Sequence, residues 1–368
     1  MHVVRSRFFR LDAKGALTRL WLPGASFMGN VASSLTSVKF GATLLLALWL
    51  ATFPVQAQSI TGVWRQLQAD DLALATALFR LATANTQVCT DHVPATGLVL
   101  ISPSEFPVPL RPSLRQDYAL VAPMAVEAVV PGSPAELAGV IPGSGLVAIG
   151  DTALPVTRPD GHESLALQNN ARAALESVRP GQPITLTLDE HGTRVARTLI
   201  PRAACGGHAE LLTDNGLTAQ SDDTSIQIST TFLVDFGPDA LPVLISHELA
   251  HIILHHTQRL SEQHVNRGLL RQFGRNAIRI REAEDEADRL SVHLLANAGY
   301  DPGIAPRFWL HDGNRLDGGL LRSPTHSSSR HRAKAMLEEI ATLSEQTRCP
   351  TTNRLGHCSP PTSQPATY

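Results

Sequence analysis

The sequence is poor in aromatic side chains, in surplus basic charge and in long apolar runs. Aromatic residues make up 5% of the 368 residues, although 43% are hydrophobic and 25 are proline. This content excludes a wholly disordered chain and predicts one large or two modest soluble domains joined by loops. After residue 57 the chain carries 25 basic and 32 acidic residues, a net charge of about −7. A nucleic-acid partner is therefore disfavoured, because such partners select basic surfaces.

A single apolar run stands out, and it covers residues 41–53. It is preceded by Lys39, is followed by small residues up to Ala57, and is short for a membrane span, which needs about 20 residues. We therefore predict that residues 1–57 are an N-terminal extension and secretory signal, with Met28 as an alternative start, and that the protein is exported or periplasmic. The alternative is an uncleaved N-terminal membrane anchor or peripheral membrane association.

Cysteine is scarce, and none of the four cysteines has the spacing of a metal ligand. All four follow the signal, and an even number in an exported chain predicts two disulfides. Three pairings are possible. Cys349 and Cys358 bracket a short loop near the end of the sequence, so we expect them to pair, and Cys89 with Cys205 then closes a long loop. Buried free thiols are the alternative, and they are more typical of a cytosolic protein.

Two histidines and a glutamate lie within one helical turn of each other at residues 247–251. His247 and His251 are four residues apart, so on a helix both imidazoles project from one face and can bind a single zinc ion, with Glu248 beside them. The alternative is an ordinary amphipathic helix with stray polar residues. The surrounding residues are strongly apolar, however, and two imidazoles without a partner would destabilise such a segment. We therefore predict one Zn²⁺ per chain.

A catalytic zinc needs a third protein ligand, and the best candidate lies 33 residues after His251. Glu284 and Asp288 share one helical face, with Ala287 small enough for close helix approach. We predict that Glu284 binds zinc and that Asp288 accepts a hydrogen bond from a ligand histidine. A solvated acidic run is the alternative, but the apolar residues that follow indicate a partly buried helix.

Residues 246–251 followed by residues 284–288 resemble the HtpX and CAAX-prenyl-protease (Ste24-type) family of zinc metallopeptidases, whose soluble periplasmic members are the most similar. The resemblance extends over roughly residues 205–343. It includes residues 324–326, which are similar to a Thr-His-Pro element of the family, although Ser327 stands where proline is usual. The resemblance implies an α+β protein whose mainly helical, gluzincin-type catalytic domain contains a small sheet.

The predicted reaction is hydrolysis of a peptide bond. Zinc lowers the pKa of its water toward ~7 and polarises the scissile carbonyl, while Glu248 takes the water's proton and passes it to the departing amine. His326 and Arg330 are the candidates for stabilising the oxyanion, and Arg330 also matches the family's pattern. His326 is alternatively a fourth zinc ligand in a resting state. We interpret four other histidines as ordinary polar residues: His255, His256, His264 and His293.

A second resemblance covers residues 116–202. Residues 126–140 are similar to the strand, turn and short helix of a bacterial PDZ domain, although residues 142–145 depart from that pattern. PDZ domains bind extended chains by adding a strand at a sheet edge, and residues 118–121 would then form the loop that takes a terminal carboxylate. A domain that only packs against the protease is an equally supported interpretation.

Periodicity supplies the remaining local predictions. The pattern predicts a helix over 60–85, a strand over 96–101, a helix over 166–178 and a hairpin that pairs 184–188 with 194–200.

If Cys89 bonds to Cys205, the β-rich PDZ-like domain interrupts one discontinuous catalytic domain. Its two parts are then residues 58–115 and 203–348, and residues 349–368 form a flexible tail with the short disulfide loop.

Residues 224–230 alternate apolar and polar side chains just before the zinc helix, which predicts an edge strand able to hold a substrate. An interior strand is the alternative. The residues expected to contact the substrate are Ser225, Ile226, Gln227 and Ile228.

The sequence thus predicts a zinc metalloendopeptidase that acts on exported, unfolded or misfolded polypeptides with help from the PDZ-like domain. The alternative is a zinc-stabilised, non-enzymatic PDZ adaptor in envelope quality control. Glu248 disfavours the adaptor, because a structural zinc needs no base. A single apolar segment disfavours an intramembrane protease.

Overall fold

The computed structural model describes residues 3–4, 60–155, 161–213, 216–265, 274–316 and 327–348. These residues form a mixture of helices and strands, as the predicted α+β class requires. Among the described helices, none has both the length and the apolar character needed to cross a bilayer. The helices are α1 (Ile60–Ala84), α2 (Arg111–Asp117), α3 (Pro134–Leu137), α4 (Ala166–Glu176), α5 (Thr230–Phe236), α6 (Leu241–Ile253), α7 (His256–Glu262), α8 (Gly274–Asn297), α9 (Ile304–His311), α10 (Gly313–Leu316) and α11 (Ser329–Arg348).

The described strands form three sheets. Their order is β1-β10-β12-β11 in the first sheet, β2-β9 in the second and β3-β4-β5-β7-β8 in the third, where β6 also pairs with β5. The strands are β1 (Val3–Val4), β2 (His92–Ala95), β3 (Leu98–Ile101), β4 (Ala125–Val129), β5 (Gly145–Ile149), β6 (Thr152–Ala153), β7 (Ile184–Glu190), β8 (Thr193–Leu199), β9 (Arg202–Cys205), β10 (His208–Leu212), β11 (Ala219–Ser221) and β12 (Ser225–Ser229).

The larger core is built around α6, which packs between α1 and α8. Helix α1 buries apolar residues that recur every three or four positions, which gives it one continuous apolar face. Helix α6 buries nearly every residue from Leu241 to Ile252, as expected for a helix that is apolar all round. The buried face of α1 includes Trp64, Leu67, Leu74, Leu78 and Leu81.

The third sheet has its own smaller core, which α4 covers through Leu167, Ala171 and Leu175. Side chains of β3 alternate between the two cores: Leu98 and Leu100 lie in the smaller core, whereas Val99 and Ile101 lie in the larger one. One face of the third sheet therefore packs against α1. The sheet also includes β3, which lies within residues 58–115, the segment predicted to be part of the catalytic domain.

Strand β12 is an interior strand, so the prediction of a substrate-binding edge at Ser225, Ile226, Gln227 and Ile228 is wrong. β12 pairs in parallel with β10 over residues 225–229 and antiparallel with β11 over residues 226–228. Its polar positions are used within the protein rather than left to solvent. The Gln227 side chain, for example, donates to Glu210 Oε2 at 2.8 Å. The alternation marked a strand but not its neighbours.

A disulfide joins Cys89 to Cys205, as predicted, with 5.7 Å between the two Cα atoms. Strand β9, which ends at Cys205, pairs antiparallel with β2, which begins three residues after Cys89. The bond therefore links the chain on either side of the third sheet. The predicted pair Cys349 and Cys358 lies outside the described residues.

Candidate metal centre

Helix α6 presents the two predicted zinc histidines from one face. Pro242 stands in its first turn, where a missing N–H costs nothing, and the helix runs without interruption to Ile253. His247 and Glu248 are each 8% exposed. Polar groups this deeply buried require partners, and the partners come from α8, α7, α11 and β11.

The donor groups of three residues converge at one point. His247 Nε2 lies 3.1 Å from His251 Nε2, and Glu284 of α8 places one oxygen 3.4 Å from His247 Nε2 and the other 3.7 Å from His251 Nε2. Donors held about 2.0–2.1 Å from one zinc at tetrahedral angles lie about 3.3–3.4 Å apart. The three residues thus fit a zinc ion, and they are the group of potential metal ligands found within the described part of the chain.

The outer nitrogen of each imidazole has its own partner. Asp288 Oδ1 lies 2.9 Å from His247 Nδ1, and His256 Nδ1 lies 2.8 Å from His251 Nδ1. Ionised Asp288 can only accept, and it lies nearer to His247 Nδ1 than Arg332 Nη2 does, at 2.9 Å against 3.1 Å, so we assign the proton of His247 to Nδ1. The other nitrogen of His256 lies 3.2 Å from Glu286 Oε2 and must donate to it, which makes the neutral His256 an acceptor for the Nδ1–H of His251.

Both Nε2 lone pairs therefore face each other at 3.1 Å beside a carboxylate, an arrangement that calls for a positive charge between them. Burial lowers the pKa of His247, but its hydrogen bonds to Asp288 and Glu284 outweigh burial and raise that pKa to about 9. Burial and the neighbouring His247 lower the pKa of His251 to about 3. Without a metal, His247 and His251 together therefore bind one additional proton. That proton lies between the two Nε2 atoms, where the spacing would also admit a metal cation.

A buried arginine neutralises Asp288. Arg332 of α11 is 6% exposed, donates from Nε to Asp288 Oδ2 at 2.7 Å, and also bonds Asp288 Oδ1 through its Nη2. Its guanidinium lies 3.6 Å from the centre of the Trp309 ring. Burial raises the pKa of Asp288, but the charge of Arg332 outweighs burial and holds that pKa below its usual range. Asp288 therefore stays ionised while fully buried.

Glu248 has one identified hydrogen-bond donor, the hydroxyl of Ser221 at the end of β11, 2.7 Å from its Oε2. Burial raises the pKa of Glu248, whereas His247 and the Ser221 hydroxyl lower it. The net effect raises the pKa of Glu248, and a carboxylate of this kind beside the candidate metal ligands is suited to taking up and releasing a proton.

The structure brings together His247, Glu248, His251, Glu284 and Asp288, all chosen from the sequence. Predicted residue Arg330 is instead exposed at the start of α11, and His326 lies outside the described residues.

Sequence reasoning missed Ser221, His256 and Arg332. A sequence signal for the burial of Arg332 exists, because Arg332 lies on the same face of α11 as the apolar residues Met336, Ile340 and Leu343. His256 and Ser221 left no comparable signal, since a break after α6 and a pairing in the first sheet bring them to the site.

Comparisons with known proteins give matches among solved structures alone, and these cover less than a third of the chain in the two examples below. No family model and no curated protein matches this chain. Among solved structures, the HtrA-type protease AlgW with a decapeptide is 19% identical over 30% of this chain and 30% of its own length, with a TM-score of 0.24. The serine endoprotease from Yersinia pestis is 22% identical over 22% of this chain and 25% of its own length, with a TM-score of 0.17.

Proposed function

We propose that this protein is a zinc metalloendopeptidase that hydrolyses peptide bonds in exported, unfolded or misfolded polypeptides. The observation that carries the proposal is the convergence of His247 Nε2, His251 Nε2 and the Glu284 carboxylate at spacings that fit one zinc ion. The same residues, together with Asp288, support membership of the HtpX and CAAX-prenyl-protease family. The apolar run before residue 57 supports export.

Each side chain has a definite task in this reaction. Zinc, when bound by the two histidines and Glu284, supplies a Lewis acid for the scissile carbonyl and for water. Asp288 keeps the Nδ1 proton of His247 in place, so that Nε2 is free to bind. Glu248 accepts a proton from the attacking water on a carboxylate oxygen and delivers it to the leaving amine nitrogen. Ser221 holds that carboxylate in position.

Strand β11 replaces β12 as the segment proposed to hold the substrate. Its inner edge pairs with β12, and no other described strand pairs with its outer edge. It packs against α6, and Ser221 at its end contacts Glu248, so a chain added along β11 would pass the proposed base. Backbone pairing of this kind accepts many sequences, which suits unfolded substrates.

The third sheet supports the proposed PDZ-like module. Ser133 caps α3 by accepting from the Glu136 N–H, and Gly132 and Gly139 adopt the positive φ angles that the predicted turn and helix end require. We propose that this module recognises substrate chains. Its shared packing with α1 keeps it next to the catalytic part, which is compatible with delivery of the substrate.

A zinc-stabilised adaptor without enzymatic activity is the competing proposal. A structural zinc usually takes four protein ligands, whereas the cluster within the described residues supplies three. A structural site also gives no reason to bury Glu248 at 8% exposure with a single hydroxyl donor beside the metal ligands. Both observations favour the enzyme.

The test combines metal content with proteolysis. Purified protein should contain one zinc per chain by elemental analysis, and the exported form should degrade an unfolded protein such as reduced, alkylated casein. Glu284→Gln should lose zinc and activity together, whereas Glu248→Gln should keep zinc and lose activity. Glu282→Gln is the matched control, because Glu282 is an exposed glutamate on the same helix.

Folded wild-type protein without zinc, and without measurable zinc uptake, would overturn the enzyme proposal. Zinc retention with full activity in Glu248→Gln would leave the metal site but remove the proposed base. Zinc retention without proteolysis in the wild type, on several unfolded substrates, would favour the adaptor.

A further inference from the structure

His256 is buried in the first turn of α7, at 3% exposure, beside the second histidine of the metal cluster. Its two ring nitrogens have different partners, His251 Nδ1 at 2.8 Å and Glu286 Oε2 at 3.2 Å. Glu286 also accepts a hydrogen bond of 2.7 Å from Arg259 Nη1. These four side chains form a continuous line of contacts from a proposed zinc ligand to the surface.

A break in the helix makes this contact possible. In a continuous helix, the residue five positions after His251 would lie about 140° around the axis and could not face it. Helix α6 ends at Ile253, and His255 adopts the left-handed conformation with φ 51° and ψ 40° before α7 begins. Residues other than glycine adopt this conformation uncommonly. This break between α6 and α7 brings the ring of His256 next to the ring of His251.

The two zinc histidines are therefore supported in parallel ways. Asp288 accepts from His247 Nδ1 and is held by Arg332, whereas His256 accepts from His251 Nδ1 and is held by Glu286. Helix α8 contributes to both arrangements, because it carries Asp288 as well as Glu286. Each partner fixes the tautomer that leaves the inner nitrogen, Nε2, available.

We propose that His256 is a positioning residue for the metal. His256 accepts a hydrogen bond from the Nδ1–H of His251. Glu286 accepts a hydrogen bond from the other ring nitrogen of His256 and so keeps His256 in the tautomer that can accept. The inference rests on the proposed zinc site, which it extends from the residues that bind the ion to one that orients them. A partner of this kind is worth about 10- to 100-fold in metal affinity.

The test measures the binding of Zn²⁺ by competition with a chromophoric chelator, and the visible spectrum of the Co²⁺ form, which reports ligand geometry. His256→Ala should weaken Zn²⁺ binding about 10- to 100-fold and alter the Co²⁺ spectrum. His256→Asn should recover part of the affinity, because its side-chain oxygen can stand where Nδ1 accepts. Glu286→Gln, which keeps an acceptor for His256, should fall between the wild type and His256→Ala.

The matched control is His293→Ala. His293 forms the same kind of pair with Glu339, at 2.7 Å, between α8 and α11. This control should lose stability without losing metal affinity. A wild type that binds no zinc would overturn the proposed function, whereas normal zinc affinity and an unchanged Co²⁺ spectrum in His256→Ala would overturn only the role of His256. If His256→Ala does not fold, unchanged metal binding in both His256→Asn and Glu286→Gln refutes that role.

Discussion

Replacing Arg332 with methionine tests the buried charge pair behind the candidate metal site. The substitution keeps an apolar side chain of similar reach against Trp309 but removes the guanidinium from the Asp288 carboxylate, which is 0% exposed and keeps only its contact with His247. Removing one partner of a buried pair costs about 3–5 kcal/mol, because the other charge remains out of water. We expect the free energy of unfolding of Arg332→Met, measured with urea at pH 7 in the presence of a chelator, to fall by about that amount.

Arg330→Met provides the matched control for this prediction. Arg330 lies two residues earlier on the same helix and is exposed, so its loss should change the free energy of unfolding by less than about 0.5 kcal/mol. The double variant Arg332→Met/Asp288→Asn should cost clearly less than the two single changes added together, because neither charge is then left alone. A cost under about 1 kcal/mol for Arg332→Met, or strict additivity in the double variant, would refute the reasoning.

The pH dependence of the same pair has a definite sign. The pKa of Asp288 is held below its ordinary value of 3.8, so the pair contributes its full stability above that value. The contribution is lost as the pH falls below about 4 and through the folded-state pKa. The difference in stability between the wild type and Arg332→Met should therefore shrink in acid.

Three further predictions concern the base, the metal and the disulfide. Ser221→Ala removes a hydrogen bond that lowers the pKa of Glu248, so the acid limb of the pH profile of casein cleavage should move to higher pH, and an unmoved limb would argue against the contact. Zinc at about 100 times its dissociation constant should raise the free energy of unfolding of the metal-free protein, measured with urea, by about 2.7 kcal/mol. No change would mean that the folded state does not bind zinc. Loss of the Cys89–Cys205 bond, which closes a separation of 116 residues, should cost about 3–5 kcal/mol in a Cys89→Ser/Cys205→Ser variant, and unchanged stability would contradict that.

The sequence alone predicts several elements well, and it does so where periodicity is strong. The predicted helix over 60–85 is α1, Ile60–Ala84, and the predicted hairpin is β7 with β8. The helix predicted over 166–178 ends earlier, at Glu176. These elements depend on neighbours in sequence, so local patterns suffice for them.

Long-range pairing explains what the sequence left open. The alternation in β12 does not say whether one or two strands lie beside it, and it has two, β10 and β11. Arg330 and Arg332 are two residues apart, and only the packing of α11 decides which faces the interior. The position of His256 depends on the helix break at His255, whose left-handed backbone is uncommon for any residue other than glycine and so is not predicted from the sequence.

Helix α8 connects the candidate metal site to the disulfide end of the molecule. It supplies Glu284 to the cluster, and near its C-terminus the Leu294 carbonyl accepts a hydrogen bond of 3.0 Å from the Asn85 side chain. Asn85 follows α1, and its own carbonyl lies 3.1 Å from Cys205 Sγ. A helix fixed at this end also holds its carboxylates more closely against α6, and the proposed zinc site needs such placement because its geometry must be held to within about 0.5 Å. The disulfide and the candidate metal site are therefore joined through a single helix, although Glu284 and Cys205 are 79 residues apart in sequence.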